Sequence, residues 1–202
     1  MSFSKHTLGR RACLALATIG LLAGQAWAQG AAAAPKVKFA TSAGDFVVEV
    51  YPDKAPKTAA NFLQYVKDKH YDGTVFHRVI DNFMVQGGGF DAAYAQKPTR
   101  APVVHEGREA LTKGGDKNVV GTLAMARTND PNSASSQFFI NVRDNDFLNP
   151  SAQTPGYTVF GKVVSGMEVV NKIKATPTGA GGPFPGDVPK TPVLINSATL
   201  VK

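Results

Sequence analysis

A chain of 202 residues with 22 basic and 15 acidic side chains carries a formal charge of +7, yet no run of lysine or arginine exceeds two residues. That spacing describes an ordinary solvated surface and speaks against nucleic-acid binding. One cysteine, Cys13, excludes an internal disulfide and a thiolate metal centre.

The first 28 residues read as a secretory signal. Lys5, Arg10 and Arg11 precede the apolar run from Cys13 to Gly24, and Ala26-Trp27-Ala28 puts small residues where signal peptidase cuts, so cleavage is expected after Ala28. The apolar run is too short for a comfortable span, so no stable membrane association is expected after cleavage. The Phe-Leu-Lys that usually follows a twin arginine is missing, which favours the general secretory route. What remains is 174 residues with a formal charge of +4 and neither Cys13 nor the single tryptophan, Trp27. A chain of that size supplies a core without cross-links, and a cysteine-free product suits a periplasm that oxidises thiols.

Residues 29–35 (QGAAAAP) are low in complexity and read as a flexible tail, leaving one domain over 36–202. Strand-like runs then dominate: VKFAT, FVVEVY, TVFHRVI, FMVQ, VVGTLAMA, QFFINV, YTVFGKVV and VLINSATLV. Eight such runs parted by Gly, Pro, Asn and Asp predict a mainly β fold. Two segments have helical spacing instead. Pro56 to Lys69 places Ala59, Phe62, Leu63 and Val66 on one face behind a first-turn proline, and Met167 to Lys174 follows Ser165 as an N-cap. The expected architecture is a closed antiparallel barrel capped by two helices, which removes exposed strand edges. The stretch from Gly179 to Pro189 (GAGGPFPGDVP) is read as a long loop with no function attached.

Spacing also narrows the chemistry. His70, His77 and His105 never stand four apart, so no zinc site is expected, and the serines of NSASSQ lack a GxSxG elbow. Gly87-Gly88-Gly89-Phe90-Asp91-Ala92 satisfies GxGxxA formally, but Pro98 and Pro102 interrupt the helix a dinucleotide site needs; tight-turn glycines are the better reading. What remains is Arg78 inside VFHRVIDNFMVQGGGF, read as buried beside Phe76, Val79, Ile80, Phe83 and Met84. A buried guanidinium needs compensation, for which Asp81 and Glu106 are candidates, and Phe76, Val79 and Ile80 are assigned to the core. Arginine keeps its proton at working pH, so it serves a reaction that needs a fixed donor and no base.

FHRVIDNFMVQGG (Phe76 to Gly88) resembles the signature of the cyclophilins, the peptidyl-prolyl cis-trans isomerases. The resemblance continues in order through GTLAMAR (Gly121 to Arg127), SSQFFI (Ser135 to Ile140), DFL (Asp146 to Leu148) and VFGKVVSGMEVV (Val159 to Val170). It implies an eight-stranded antiparallel barrel with two capping helices. It also implies that Arg78 is the catalytic arginine and that Phe83, Met84, Phe139 and Leu148 wall a proline pocket. Gln86 then holds the substrate backbone, while Ala126, Arg127 and Gln137 line the adjoining groove, the residue at 127 through its main chain. Phe147 and Tyr157 stand where many eukaryotic members have tryptophan and histidine; both are counted as substrate-binding, and they imply weak cyclosporin binding. Gly89 replaces a common aspartate and is expected to alter a turn. No cofactor or metal is implied. The expected partners are proline-containing, unfolded or exported polypeptides, and the expected state is a monomer. The alternative is a prolyl-peptide binding module or holdase without turnover.

Overall fold

The structure, a computed structural model, describes residues 33–201. The expected signal segment, and all but the end of the expected tail, lie outside the described residues. Two strands open the domain, β1 (Lys36–Thr41) and β2 (Gly44–Val50), followed by helix α1 (Pro56–Lys67). Then come β3 (Thr74–Ile80), β4 (Met84–Asp91), the short helix α2 (Gly107–Thr112), β5 (Thr122–Met125), β6 (Phe138–Asn141) and β7 (Val159–Ser165). Helix α3 (Met167–Lys174) precedes a hairpin of β8 (Thr178–Gly181) and β9 (Phe184–Pro189), and β10 (Leu194–Leu200) ends the fold.

The eight runs read from the sequence are the eight barrel strands, closed in the order β1-β10-β3-β4-β6-β5-β7-β2 with antiparallel neighbours throughout. Alternation decides what points inward. Val37 and Phe39 of β1, Phe46, Val48 and Val50 of β2, and Phe138 and Ile140 of β6 are all essentially sealed from solvent. Phe62 of α1 completes this core, with its ring centroid 5.0 Å from Phe160, 5.4 Å from Tyr71, 6.0 Å from Phe138 and 6.3 Å from Phe39. Such offset and edge-on pairs add to the area they bury. Helix α3 contributes Val169, Val170 and Ile173. No helix among the described residues is long and apolar enough to cross a membrane.

Several local expectations are corrected. α1 stops at Lys67 rather than Lys69, and α3 is capped by Gly166 in the left-handed region (φ 81°), not by Ser165. The glycines after Gln86 are not in a turn: β4 runs through all three. A Cβ at Gly88, where φ is +86°, would stand 2.8 Å from the Tyr71 ring, so glycine here permits close packing of an aromatic. The segment from Gly179 to Pro189 is not a bare loop but most of the β8–β9 hairpin.

Glu106 also has a different task from the one considered. Ala55 gives α1 no side-chain cap, and Glu106, 2 % exposed, supplies one from a distance: its carboxylate accepts from the Lys57 and Thr58 amides at 3.1 and 2.7 Å and from the Thr58 hydroxyl at 2.7 Å. An anion held against the free amides of a helix N-terminus satisfies donors that have no partner within the helix.

Candidate active site

Strand register builds the site. Arg78 of β3 pairs with Gln86 of β4, Gln86 with Phe139 of β6, and Phe139 with Ala124 of β5, so one row crosses four strands. The flanking residues of that row, Val85, Phe138, Ile140 and Leu123, belong to the barrel core. The row therefore faces outward. There it joins a second apolar cluster of Met84, Ala124, Phe139, Leu148 and Val159, with Ile80, Phe83, Ala126 and Tyr157 packed against it. Phe76 and Val79 sit in the main core as expected, whereas Ile80 belongs beneath this outer site.

Above the cluster lies a cleft of about 370 Å³ whose lining includes Phe83, Met84, Phe139, Leu148 and Tyr157. Arg78, Gln86, Ala126, Arg127 and Gln137 line it too, so every predicted site residue but Phe147 is brought together. A buried asparagine network holds two of its walls. Asn145 donates to the Phe83 carbonyl at 3.0 Å and to Asn141 at 2.8 Å, and Asn141 donates to Asn118, which donates to the Leu148 carbonyl at 3.2 Å. Phe83 and Leu148 are thus tied, through amides nearly sealed from water, to one frame. Tyr157 stands edge-on to Phe139 at 5.5 Å, with the Arg127 guanidinium over its ring at 4.5 Å. Arg127 also donates through Nε and Nη2 to the Gly156 carbonyl at 3.1 and 2.8 Å. Its side chain therefore fastens the wall that bears Tyr157, a task the main-chain role expected of it does not describe.

Phe147 does not line the cleft. It stands on the rim, 69 % exposed and stacked on Phe83 at 5.7 Å. Three unpredicted residues do line it: His77, Phe90 and Phe184. His77 arrives by a β-bulge. Phe76 faces Gly87 and Arg78 faces Gln86, so two steps on β3 match one on β4 and His77 is the extra residue. A bulge re-aims side chains in this way. Phe184 comes from the β8–β9 hairpin; the only sequence signal for it is one aromatic side chain amid glycines and prolines.

Arg78 is not buried. Its side chain is 46 % exposed at the mouth of the cleft, which removes the desolvation cost a core position would impose. Neither candidate partner pairs with it: Asp81 pairs with Lys174 at 3.6 Å and Glu106 caps α1. The carboxylate nearest it is Asp187, whose Oδ2 lies 3.6 Å from Nε. An exposed pair at that distance is worth little, so a ligand displaces it readily.

Gln86 donates from Nε2 to Oε1 of Gln137 at 2.9 Å, fixing both amides on the cleft side of the sheet. Gly89 makes that possible. Rather than shaping a turn, it lies within β4, and a Cβ there would stand 2.5 Å from Cγ of Gln137. Gly89→Ala is expected to swing Gln137 off Gln86 and weaken peptide binding about three- to tenfold, with stability changed by less than about 1 kcal/mol because a flexible side chain gives way. Peptide titration followed by NMR, with a denaturation curve, separates the two effects.

Burial lowers the His77 pKa to about 4; the Arg78 charge acts in the same direction, and the Val75 backbone opposes it without giving Nδ1 a hydrogen-bond partner. Burial lowers those of His70 and His105 as well. Below about pH 6.5 the unfolded chain takes up a proton that folded His77 refuses, so acid favours unfolding. Stability is therefore full above pH 6.5 and falls as the pH drops towards 4, by roughly 3 kcal/mol for His77 alone. Denaturant curves at pH 7.5 and 4.5 should show a smaller loss for His77→Phe than for the parent. Equal losses would assign the titration elsewhere.

The chain is similar to proteins of known family along nearly its whole described length. Residues 36–200 match the model for the "Cyclophilin type peptidyl-prolyl cis-trans isomerase/CLD" family. Peptidyl-prolyl cis-trans isomerase B of Escherichia coli K12 is 52% identical over 167 residues, 81% of this chain and 98% of that protein. Peptidyl-prolyl cis-trans isomerase A of Dickeya dadantii is 44% identical over 195 residues, 96% and 100% of the two chains. A Cryptosporidium parvum cyclophilin-type isomerase crystal structure superposes with a TM-score of 0.67 at 25% identity, covering 84% of this chain and 98% of that one.

Proposed function

The chain belongs to the cyclophilin-type peptidyl-prolyl cis-trans isomerases, and on that premise we propose that Arg78 drives the reaction by donating a hydrogen bond to the imide nitrogen of an X-Pro bond while the bond twists. The activity is isomerisation of prolyl peptide bonds, and its substrates contain proline. The observation that carries the mechanism is one half-exposed arginine at the mouth of an apolar cleft, across the strand from a fixed glutamine amide.

A planar amide has a delocalised lone pair on nitrogen and a rotation barrier of about 18–20 kcal/mol. For X-Pro bonds the exchange takes roughly tens to hundreds of seconds. A quarter turn restores the nitrogen lone pair as an acceptor. A donor aimed there strengthens only in the twisted state, which is the condition for lowering a barrier rather than tightening binding. Going from about 100 s to about 1 ms requires roughly five decades, or about 7 kcal/mol. One charge-assisted hydrogen bond supplies about 1.5–3 kcal/mol. The remainder falls to the cleft: Phe83, Met84, Phe139 and Leu148 hold the ring while Gln86 holds the flanking chain, so that one side of the bond is fixed as the other turns. Transfer of the amide into this apolar setting favours the less polar twisted state as well.

We further propose that the protein acts in the periplasm on exported chains, as a monomer, with no cofactor and with weak cyclosporin affinity. The N-terminal sequence supports export, and the phenylalanine at 147 supports the last point. The deciding experiment is exchange NMR on a short X-Pro peptide with the protein beginning at Gln29. Catalysed exchange is expected; binding without exchange would leave a prolyl-peptide binding module or holdase. Mass spectrometry of the periplasmic fraction should find that same N-terminus.

A further inference from the structure

Adjoining the first cleft at Arg78 is a second, of about 340 Å³, formed by His77, Arg78, Phe184, Pro185, Gly186 and Asp187. It shares His77, Arg78 and Phe184 with the first cleft. The first cleft continues in another direction into a polar groove, with which it shares Gln86, Ala126, Arg127 and Gln137. A peptide seated with its proline against Phe139 therefore has one flank directed into the polar groove and the other across the guanidinium to the β8–β9 hairpin.

The hairpin side is apolar and already formed. Phe184 is pinned by His77 at 5.4 Å, by Phe90 edge-on at 5.0 Å and by Tyr94 at 6.2 Å, and Pro185 extends its surface. A wall held this way loses little freedom when a ligand covers it. Asp187 sits beside Arg78 and offsets its charge at this end, so a neutral occupant meets no net cation. Asp187 itself holds the left-handed region at φ 64°, next to a glycine that would adopt it at less cost.

We propose that this second cleft is a specificity subsite that takes a large apolar or aromatic side chain flanking the substrate proline. The proposal rests on the reading that the proline occupies the first cleft. It goes beyond that reading in giving the enzyme a preference on one side of the rotating bond and assigning the preference to the hairpin.

The test uses peptides that share one X-Pro core and carry alanine or phenylalanine at each of the two positions before and three after it. Phenylalanine is expected to raise kcat/KM about fivefold, through KM, at positions on one side of the proline only. A Cβ on Gly186 would meet nothing within 4 Å, so Gly186→Trp should fill the cleft and bring the phenylalanine-to-alanine ratio close to one, whatever it does to the alanine peptide. Should that variant disturb the hairpin, the parent protein decides: the Phe184 and Gly186 amide signals should shift with the preferred peptide and not with its alanine counterpart. A flat profile with normal turnover, an equal gain on both sides, or unmoved hairpin amides would overturn the subsite alone. No turnover of any peptide would overturn the isomerase reading of the first cleft and the subsite with it.

Discussion

Arg78→Ala is expected to lower kcat/KM on a short X-Pro peptide by about a hundredfold while peptide affinity changes by less than about threefold. The asymmetry follows from geometry. The guanidinium stands at the mouth of the cleft, not among the apolar walls that hold the ring, and a planar imide nitrogen offers it no acceptor. Its contribution is therefore confined to the twisted state. Arg78→Lys keeps the charge but loses the planar fork, and should recover at most about one decade of the two. Single-turnover exchange NMR gives the rate and a titration of the same peptide gives affinity. If rate and affinity fall together, Arg78 holds substrate rather than turning it.

The largest effect on stability is expected from Phe62→Ala. Its ring is sealed from solvent and touches four aromatics from β1, β6, β7 and the segment before β3. Three of these belong to different strands of a closed barrel, so the walls cannot collapse inward to fill the space. A cost of about 3–5 kcal/mol follows, against total stabilities that commonly run about 5–15 kcal/mol. At roughly 2–4 °C per kcal/mol for a domain of this size, the melting point should drop by about 10 °C. Phe62 lies away from the cleft, so turnover per folded molecule should stay within about twofold. A loss below about 1 kcal/mol would mean that α1 is dispensable to the core.

Periodicity made most of the barrel readable. β1 alternates polar and apolar side chains, β2 alternates buried and half-buried positions, and Phe62 announces the buried face of α1. It failed where stability is not local. The β8–β9 hairpin is rich in glycine and proline, with little intrinsic preference for a strand; Phe184 and buried Val188 hold it against the rest of the protein. α2 spans six residues, too few for a 3.6-residue period to show. Arg78 looked buried because its neighbours in sequence are apolar, yet alternation turns it to the outer face and a bulge one residue earlier adjusts its aim. The Asp187 partner lies more than a hundred residues away, and no spacing rule reaches that far.

The cleft residues follow the same division. Gln86, Met84 and Phe139 can be placed by strand register once the barrel is closed, whereas His77 and Phe184 depend on the bulge and on the hairpin. The glycine at 89 is legible only in three dimensions, since the volume it leaves is taken by a side chain from another strand.

The last strand, β10, lies between β1 and β3, with Val37 opposite Leu200 and Val75 opposite Leu194. Until residues 194–200 arrive, the other seven strands can form only an open sheet whose two unsatisfied margins invite pairing with foreign chains. Contacts of such high sequence separation are slow to form. A polypeptide made amino end first therefore cannot seal its barrel until its final segment is delivered.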